Sequence, residues 1–181
     1  YTEPEFERMM DQVVRFRDLG ADAVVCGCLL PDGNLDLERM KRLLDQAGNM
    51  EMTLHRAFDV CKDAEKTMEE AISLGIGTIL TSGQADSALH GAGCLRNLNE
   101  RSQGRIALMA GAGVKSSNIR KLYEKTGLHV YHMSAKRTEE SQMKFRRAGI
   151  PMGLPGISEY EIWRTDEEQV REAAEILRDL S

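Results

Sequence analysis

Residues 53–59 read TLHRAFD. β-branched Thr53 and Leu54 finish an apolar run, and an imidazole, a guanidinium and, after a small apolar step, the carboxylate of Asp59 follow. Side chains alternate along a strand, so Thr53, His55 and Ala57 share one face while Leu54 and Arg56 share the other. With Leu54 packed under a helix, His55 points into a polar mouth and Arg56 leaves the strand at its rim. A strand that ends in this way belongs to a parallel α/β sheet, where chemistry collects at the carboxyl ends of the strands.

The flanking sequence agrees. Phe6, Met9, Met10, Val13, Val14, Phe16 and Leu19 recur at helical spacing until Gly20, and ADAVVCGC (21–28) is a continuous apolar run. PDGN (31–34) is a turn, LDLERMKRLLDQA (35–47) is an amphipathic helix, and Gly48-Asn49 breaks it before the stretch quoted above. Asp63 is placed to cap the helix AEKTMEEAISL, Gly75 to end it, and GTILTSG (77–83) follows. A helix from about Ala88 to Arg101 leads to RIALMAGAGV, Ser116 or Ser117 caps NIRKLYEKT, and LHVYHMSA (128–135) comes after Gly127. Thr165 and Glu168 have the spacing of a capping box for a last helix.

Apolar runs separated each time by one helix imply parallel strands, because a parallel crossover needs about a dozen residues or more. An open doubly wound sheet and a (β/α)₈ barrel both satisfy this pattern. GAGVKS at 111–116 has too few glycines for a dinucleotide fingerprint, which argues for the barrel.

Composition narrows the function. The chain has 181 residues, enough for one domain spanning 1–181, with 24 basic and 29 acidic residues and a net charge of −5. That balance gives no general attraction to nucleic acid or an anionic membrane. No apolar run reaches the roughly 18 to 20 residues of a membrane helix, so the expected setting is soluble and cytoplasmic. The cysteines at 26, 28, 61 and 94 read as reduced thiols.

Taken in order, the strand ends are Cys26-Gly27-Cys28, His55-Arg56 with Asp59, Thr81-Ser82-Gly83, Gly111-Ala112-Gly113 and His132-Met133-Ser134-Ala135-Lys136. Gly111 and Gly113, before a helix start, suit an anion, and Ser134 and Lys136 on the neighbouring strand end, with Ser82 and Gly83, extend that candidate site. The competing reading is that the glycines only permit a tight turn. His55, Arg56, Asp59 and His132 are the candidate catalytic groups; an Arg56–Asp59 ion pair that merely locks the rim is the alternative. Cys26 and Cys28 lie on one strand face about 7 Å apart, too far to bridge but able to offer soft donors to Cu(I).

LHRAFD, ILTSGQ, MAGAGV and HMSAK, with YTEPEF at the start and the DGNLD turn, resemble the copper homeostasis protein CutC family, in order from Tyr1 to about Arg147 and more loosely to the last helix. The resemblance implies a TIM-like barrel, a cytoplasmic protein, and copper as the bound ion, but brings no reaction. It also implies that the chain corresponds to strands 4 to 8 of the family barrel and lacks the first three βα units. The alternative function is a barrel enzyme acting on a small anionic or phosphorylated metabolite. Residues 137–164 read as a long loop carrying arginines and aromatics, a lid or a subunit contact, and a homo-oligomer is the expected assembly.

Overall fold

A computed structural model of the chain describes residues 1–150, 152–153 and 158–180. Helix α1 (Glu3–Asp18) begins at a capping box in which the Thr2 amide donates to Glu5 Oε2 at 2.7 Å. Then come β1 (Ala23–Cys26), α2 (Leu37–Ala47), β2 (Glu51–Leu54), a 3₁₀ turn (Arg56–Val60), α3 (Ala64–Leu74) and β3 (Thr78–Thr81). After these run α4 (Ala92–Ser102), β4 (Ala107–Ala110), α5 (Ser116–Thr126), β5 (Val130–Tyr131), β6 (Lys136–Glu140), β7 (Glu161–Thr165) and α6 (Glu167–Asp179). Asp63 caps α3 as expected, accepting from the Lys66 amide at 3.0 Å, and Gly75 ends it with φ +82°.

β1 to β5 form one parallel sheet in the order β1-β2-β3-β4-β5, each strand beside its successor in sequence. Within this sheet the order runs one way, without the reversal of a doubly wound fold. Successive helices pack on one another over one face. On that face Cys26, Met52, Leu54, Ile79, Leu108 and Ala110 are buried against Met40, Leu43, Met68, Leu95, Leu98, Ile119 and Leu122. Each fully buried Leu, Ile or Met contributes about 1.5 to 3 kcal/mol relative to exposure. The opposite face is open: Ala23, Glu51 and Ala107 are exposed, and Val25 is 62% exposed.

Four local expectations are corrected. The helix expected from Ala88 begins at Ala92, because residues 83–91 fold tightly over the end of β3. A Cβ on Gly91 would stand 1.9 Å from the Ser82 carbonyl oxygen, and one on Gly83 2.4 Å from that of Gly91. Lys115, not Ser116 or Ser117, occupies the N-cap of α5, its amide donating to Asn118 Oδ1 at 2.9 Å. Ser116 instead donates to Glu172 Oε2 at 2.8 Å and fastens α6 to α5. Asp166 rather than Thr165 caps α6, since Thr165 is committed to the β7 ladder.

The run 128–135 is the fourth correction: it contributes only the two residues of β5 to the sheet. The chain then enters β6, which pairs antiparallel with β7. The stretch 137–164 therefore contains two strands that periodicity did not reveal; residues 151 and 154–157 of it lie outside the described residues.

Candidate functional site

The 3₁₀ turn after β2 organises the rim. His55 caps it, Nδ1 accepting from the Ala57 amide at 3.2 Å. The turn carries Asp59 beneath the end of β3, where its side chain is 6% exposed. Asp59 Oδ1 accepts from Thr81 Oγ1 at 2.5 Å and from the Ser82 amide at 2.9 Å, while Oδ2 takes the Arg56 Nε–H at 2.6 Å. Burial alone would push this carboxyl up, but the hydrogen bonds from Thr81, Arg56 and the amides of Ser82 and Gln84 outweigh it and hold the group below its ordinary range. Asp59 thus stays ionised and holds Arg56 and the β3 loop in place.

Arg56 Nη2 also donates to Ser82 Oγ at 3.2 Å, yet its side chain is 47% exposed. It faces a cavity of about 440 Å³, a size suited to a small ligand. Besides Arg56, the walls carry Lys115, Lys136, His132, Ser134 and Gln169, closed on the apolar side by Leu80, Val114 and Met133. No aspartate or glutamate lines the cavity among the described residues, although the chain as a whole is acidic. Lys136 Nζ lies 3.6 Å above the centroid of the Trp163 ring, a cation–π contact that draws the β6 lysine and the β7 tryptophan together.

The GAG turn supplies the floor. Gly113, with φ +71°, lines the cavity, and the amide N–H groups of Gly113 and Val114 have no hydrogen-bond acceptor among the described residues. Asn118 Nδ2 donates to the Gly113 carbonyl oxygen at 2.9 Å, tying the turn to the first turn of α5. The turn therefore carries two unpaired amide donors on residues that line the cavity.

The residues singled out from sequence separate into three groups. Arg56, Gly113, His132, Ser134 and Lys136 meet at the cavity. Asp59, Ser82, Gly83 and Gly111 stand behind it: Ser82 is fully buried and donates to the Ala85 carbonyl at 2.6 Å, Gly83 abuts Gly91, and Gly111 is pressed against Leu80. His55 does not join them. It leans over Gly27 and borders a different cavity of about 420 Å³ with Cys26, Val25 and α1. Lys115 and Gln169 are the cavity residues that sequence reading missed. Lys115 was legible as the residue following GAGV, whereas Gln169 arrives from α6 and had no local signal.

Cys26 and Cys28 are buried on the helix side of the sheet. Burial, with Cys28 adjacent, pushes the Cys26 thiol up to about 11, and burial raises Cys28 as well. The Cys28 amide donates to Met40 Sδ at 3.3 Å, which places a thioether beside the Cys28 backbone. No group of three or more His, Cys, Asp or Glu side chains gathers as a metal site among the described residues, nor is any helix there long and apolar enough to cross a membrane.

The sequence model of the CutC family matches residues 1–137. A CutC family protein from Bacteroides fragilis is 40% identical over 176 residues, which cover 97% of this chain and 70% of the relative. One from Chromobacterium violaceum is 41% identical over 177 residues, covering 98% and 72%. Among solved structures, the CutC protein of Streptococcus agalactiae, whose name attaches it to copper homeostasis, aligns with a TM-score of 0.70 and 28% identity over 73% of this chain and 65% of that one. Trp163 and Gln169 lie beyond the residues that the family model matches.

Proposed function

Because the chain belongs to the CutC family, we propose that it forms an arc of a (β/α)₈-type barrel whose rim cavity binds and acts on a small anionic metabolite, carrying phosphate or carboxylate. One observation carries this reading: Arg56, Lys115 and Lys136 line one cavity without a carboxylate among its described residues, in a chain of net charge −5. Clustered cations in a partly enclosed space repel one another and are stabilised by an anion. Arg56, already oriented by Asp59 and Ser82, clamps two oxygens of the anion. The Gly113 and Val114 amides and Ser134 complete the donor set. His132 brings the one imidazole among the described cavity residues, and serves as the acid or base for a proton next to the anion. The singly wound sheet and the likeness to the Streptococcus agalactiae protein support the barrel arc.

The test is a thermal-stability screen against small phosphorylated and carboxylated metabolites and their uncharged counterparts. Stabilisation by anionic members, lost in Arg56→Ala, supports the reading. An equal response to uncharged counterparts, or none to any anion, overturns it.

A second reading takes copper ion as cargo, the ion attached to the family's name. The observation in its favour is that Cys26 and Cys28 are both buried at the end of β1 with the Met40 thioether against the Cys28 amide, soft atoms of the kind Cu(I) prefers. Against it stand the burial and raised pKa of both thiols, which disfavour the thiolate that would bind the ion.

A further inference from the structure

Gln169 stands on the first turn of α6, and its side-chain amide has a fixed direction. Nε2 donates to Asp166 Oδ2 at 3.3 Å, while Asp166 Oδ1 accepts from the Glu168 amide at 3.0 Å. Hydrogen bonds from the Gln169 side chain and from the Gln169 and Glu168 amides hold the Asp166 carboxyl below its ordinary range. An ionised carboxylate only accepts, so the nitrogen of the Gln169 amide faces Asp166 and its oxygen, Oε1, faces away. Oε1 accepts no hydrogen bond among the described residues and is open to solvent. Because Gln169 lines the cavity and Asp166 does not, Oε1 is the polar atom that Gln169 has left to present there.

The backbone holds this arrangement against the rim. The Asp166 N–H donates to the Ala135 carbonyl at 2.7 Å and ties the start of α6 to the chain after β5. Ala135 has φ +43°, and Ala112 in the GAG turn has φ +71°. Both line the cavity, and they are two of the four non-glycine residues with positive φ among those described. Such conformations cost stability and persist where the surroundings enforce them, commonly at ligand sites.

The cavity thus holds one acceptor of fixed direction among donors. Arg56, Lys115 and Lys136 only donate, whereas Ser134 and His132 can each donate or accept and impose no requirement on a ligand. Gln169 does impose one: Oε1 repels the oxygens of an anion and pairs only with a donor. Three cations and no carboxylate line the cavity among its described residues, which disfavours an ammonium and leaves an alcohol as that donor. A space of about 440 Å³ also takes a whole small molecule rather than a single anionic group. We infer that the ligand of this cavity is a hydroxylated organic anion, and that Gln169, aimed by Asp166, selects it by accepting a hydrogen bond from its hydroxyl group. The inference rests on the anion reading given above and supplies the other half of the ligand. An alkyl anion of the same length would cover Oε1 without giving it a partner, and that unmade bond is the source of the selectivity.

Titration calorimetry on the full chain with inorganic phosphate, glycerol 3-phosphate, propyl phosphate and 3-aminopropyl phosphate tests the inference. The wild-type protein is expected to bind inorganic phosphate and to prefer glycerol 3-phosphate to propyl phosphate by about tenfold. Gln169→Met keeps the side-chain length without the amide, and is expected to bring that ratio close to unity. Asp166→Asn can donate as well as accept, so it lets the Gln169 amide turn over and is expected to lower the ratio partway. Circular dichroism checks that both variants are folded. Phosphate binding together with equal affinity for the glycerol and propyl esters would overturn the hydroxyl assignment and leave the anion site standing, whereas no binding of any probe would overturn both. A folded Gln169→Met protein that keeps the preference would overturn the role of Gln169. Tighter binding of 3-aminopropyl phosphate than of glycerol 3-phosphate would overturn the choice of an alcohol.

Discussion

Arg56 Nε lies 2.6 Å from Asp59 Oδ2, and the two differ sharply in exposure: the carboxylate is buried under the end of β3, while the guanidinium reaches the cavity. The ion pair is therefore directional. Its buried member holds the rim together and its exposed member faces the cavity, so an ion pair that locks the rim also sets Arg56 at the cavity wall.

Asp59→Asn tests that division. The variant leaves Arg56 without its charged partner and weakens the bonds from Thr81 and the Ser82 amide; unfolding by denaturant is expected to show a loss of about 2 kcal/mol. Anion affinity falls as well, although Asp59 does not line the cavity. Undiminished affinity would mean that Arg56 needs no anchor.

The same carboxyl sets an acid limit. Its folded pKa is depressed, so its contribution is fully present above the unfolded value of about 3.9 and is lost as pH falls through the lower folded value. Wild-type stability measured against pH should lose this increment in that acid window, and Asp59→Asn should lack it. Parallel curves for the two proteins would contradict the assignment.

Trp163, the chain's single tryptophan, lies against Lys136 and should report on the cavity. Anion binding at Lys136 is expected to shift its fluorescence. Trp163→Ala removes a cation–π contact of about 0.5 to 1 kcal/mol, and ligand affinity should drop about two- to fivefold if the ring positions the lysine.

Gly91→Ala pushes a methyl group into the Ser82 carbonyl, where both walls are backbone. A destabilisation of about 1 to 3 kcal/mol is expected from chemical denaturation. A neutral result would show that the 83–91 loop can move aside.

The thiols give the prediction that separates the two functional readings. With Cys26 near 11 and Cys28 raised, alkylation at mildly alkaline pH should be slow in the folded protein and fast after unfolding. An anaerobic Cu(I) competition titration should show no binding that depends on Cys26 and Cys28. Tight stoichiometric binding abolished by Cys26→Ser with Cys28→Ser would favour copper as cargo.

The sequence displayed the parallel sheet clearly because β1 to β4 are short apolar runs separated by helical stretches, and both signals are local. Arg56, His132, Ser134 and Lys136 could be found for the same reason, each lying at or just past a strand end. His55 was misplaced because alternation gives a face but not the neighbour on that face: the bare Gly27 backbone leaves room for the ring to lean toward β1. β6 and β7 escaped notice because their ladder is built from exposed, charged residues without a period-2 apolar pattern. Gln169 and Trp163 reach the site through tertiary packing across a long sequence separation, and nothing beside them in the chain announces it.

The most direct test of the central claim is a binding isotherm for inorganic phosphate, measured at low and high salt on the wild-type chain and on the Arg56→Ala, Lys136→Ala double variant. Saturable one-site binding that weakens with salt and vanishes in the folded double variant is the predicted result. Absence of saturable binding by the wild type, or equal binding by the double variant, would contradict an anion site at the rim.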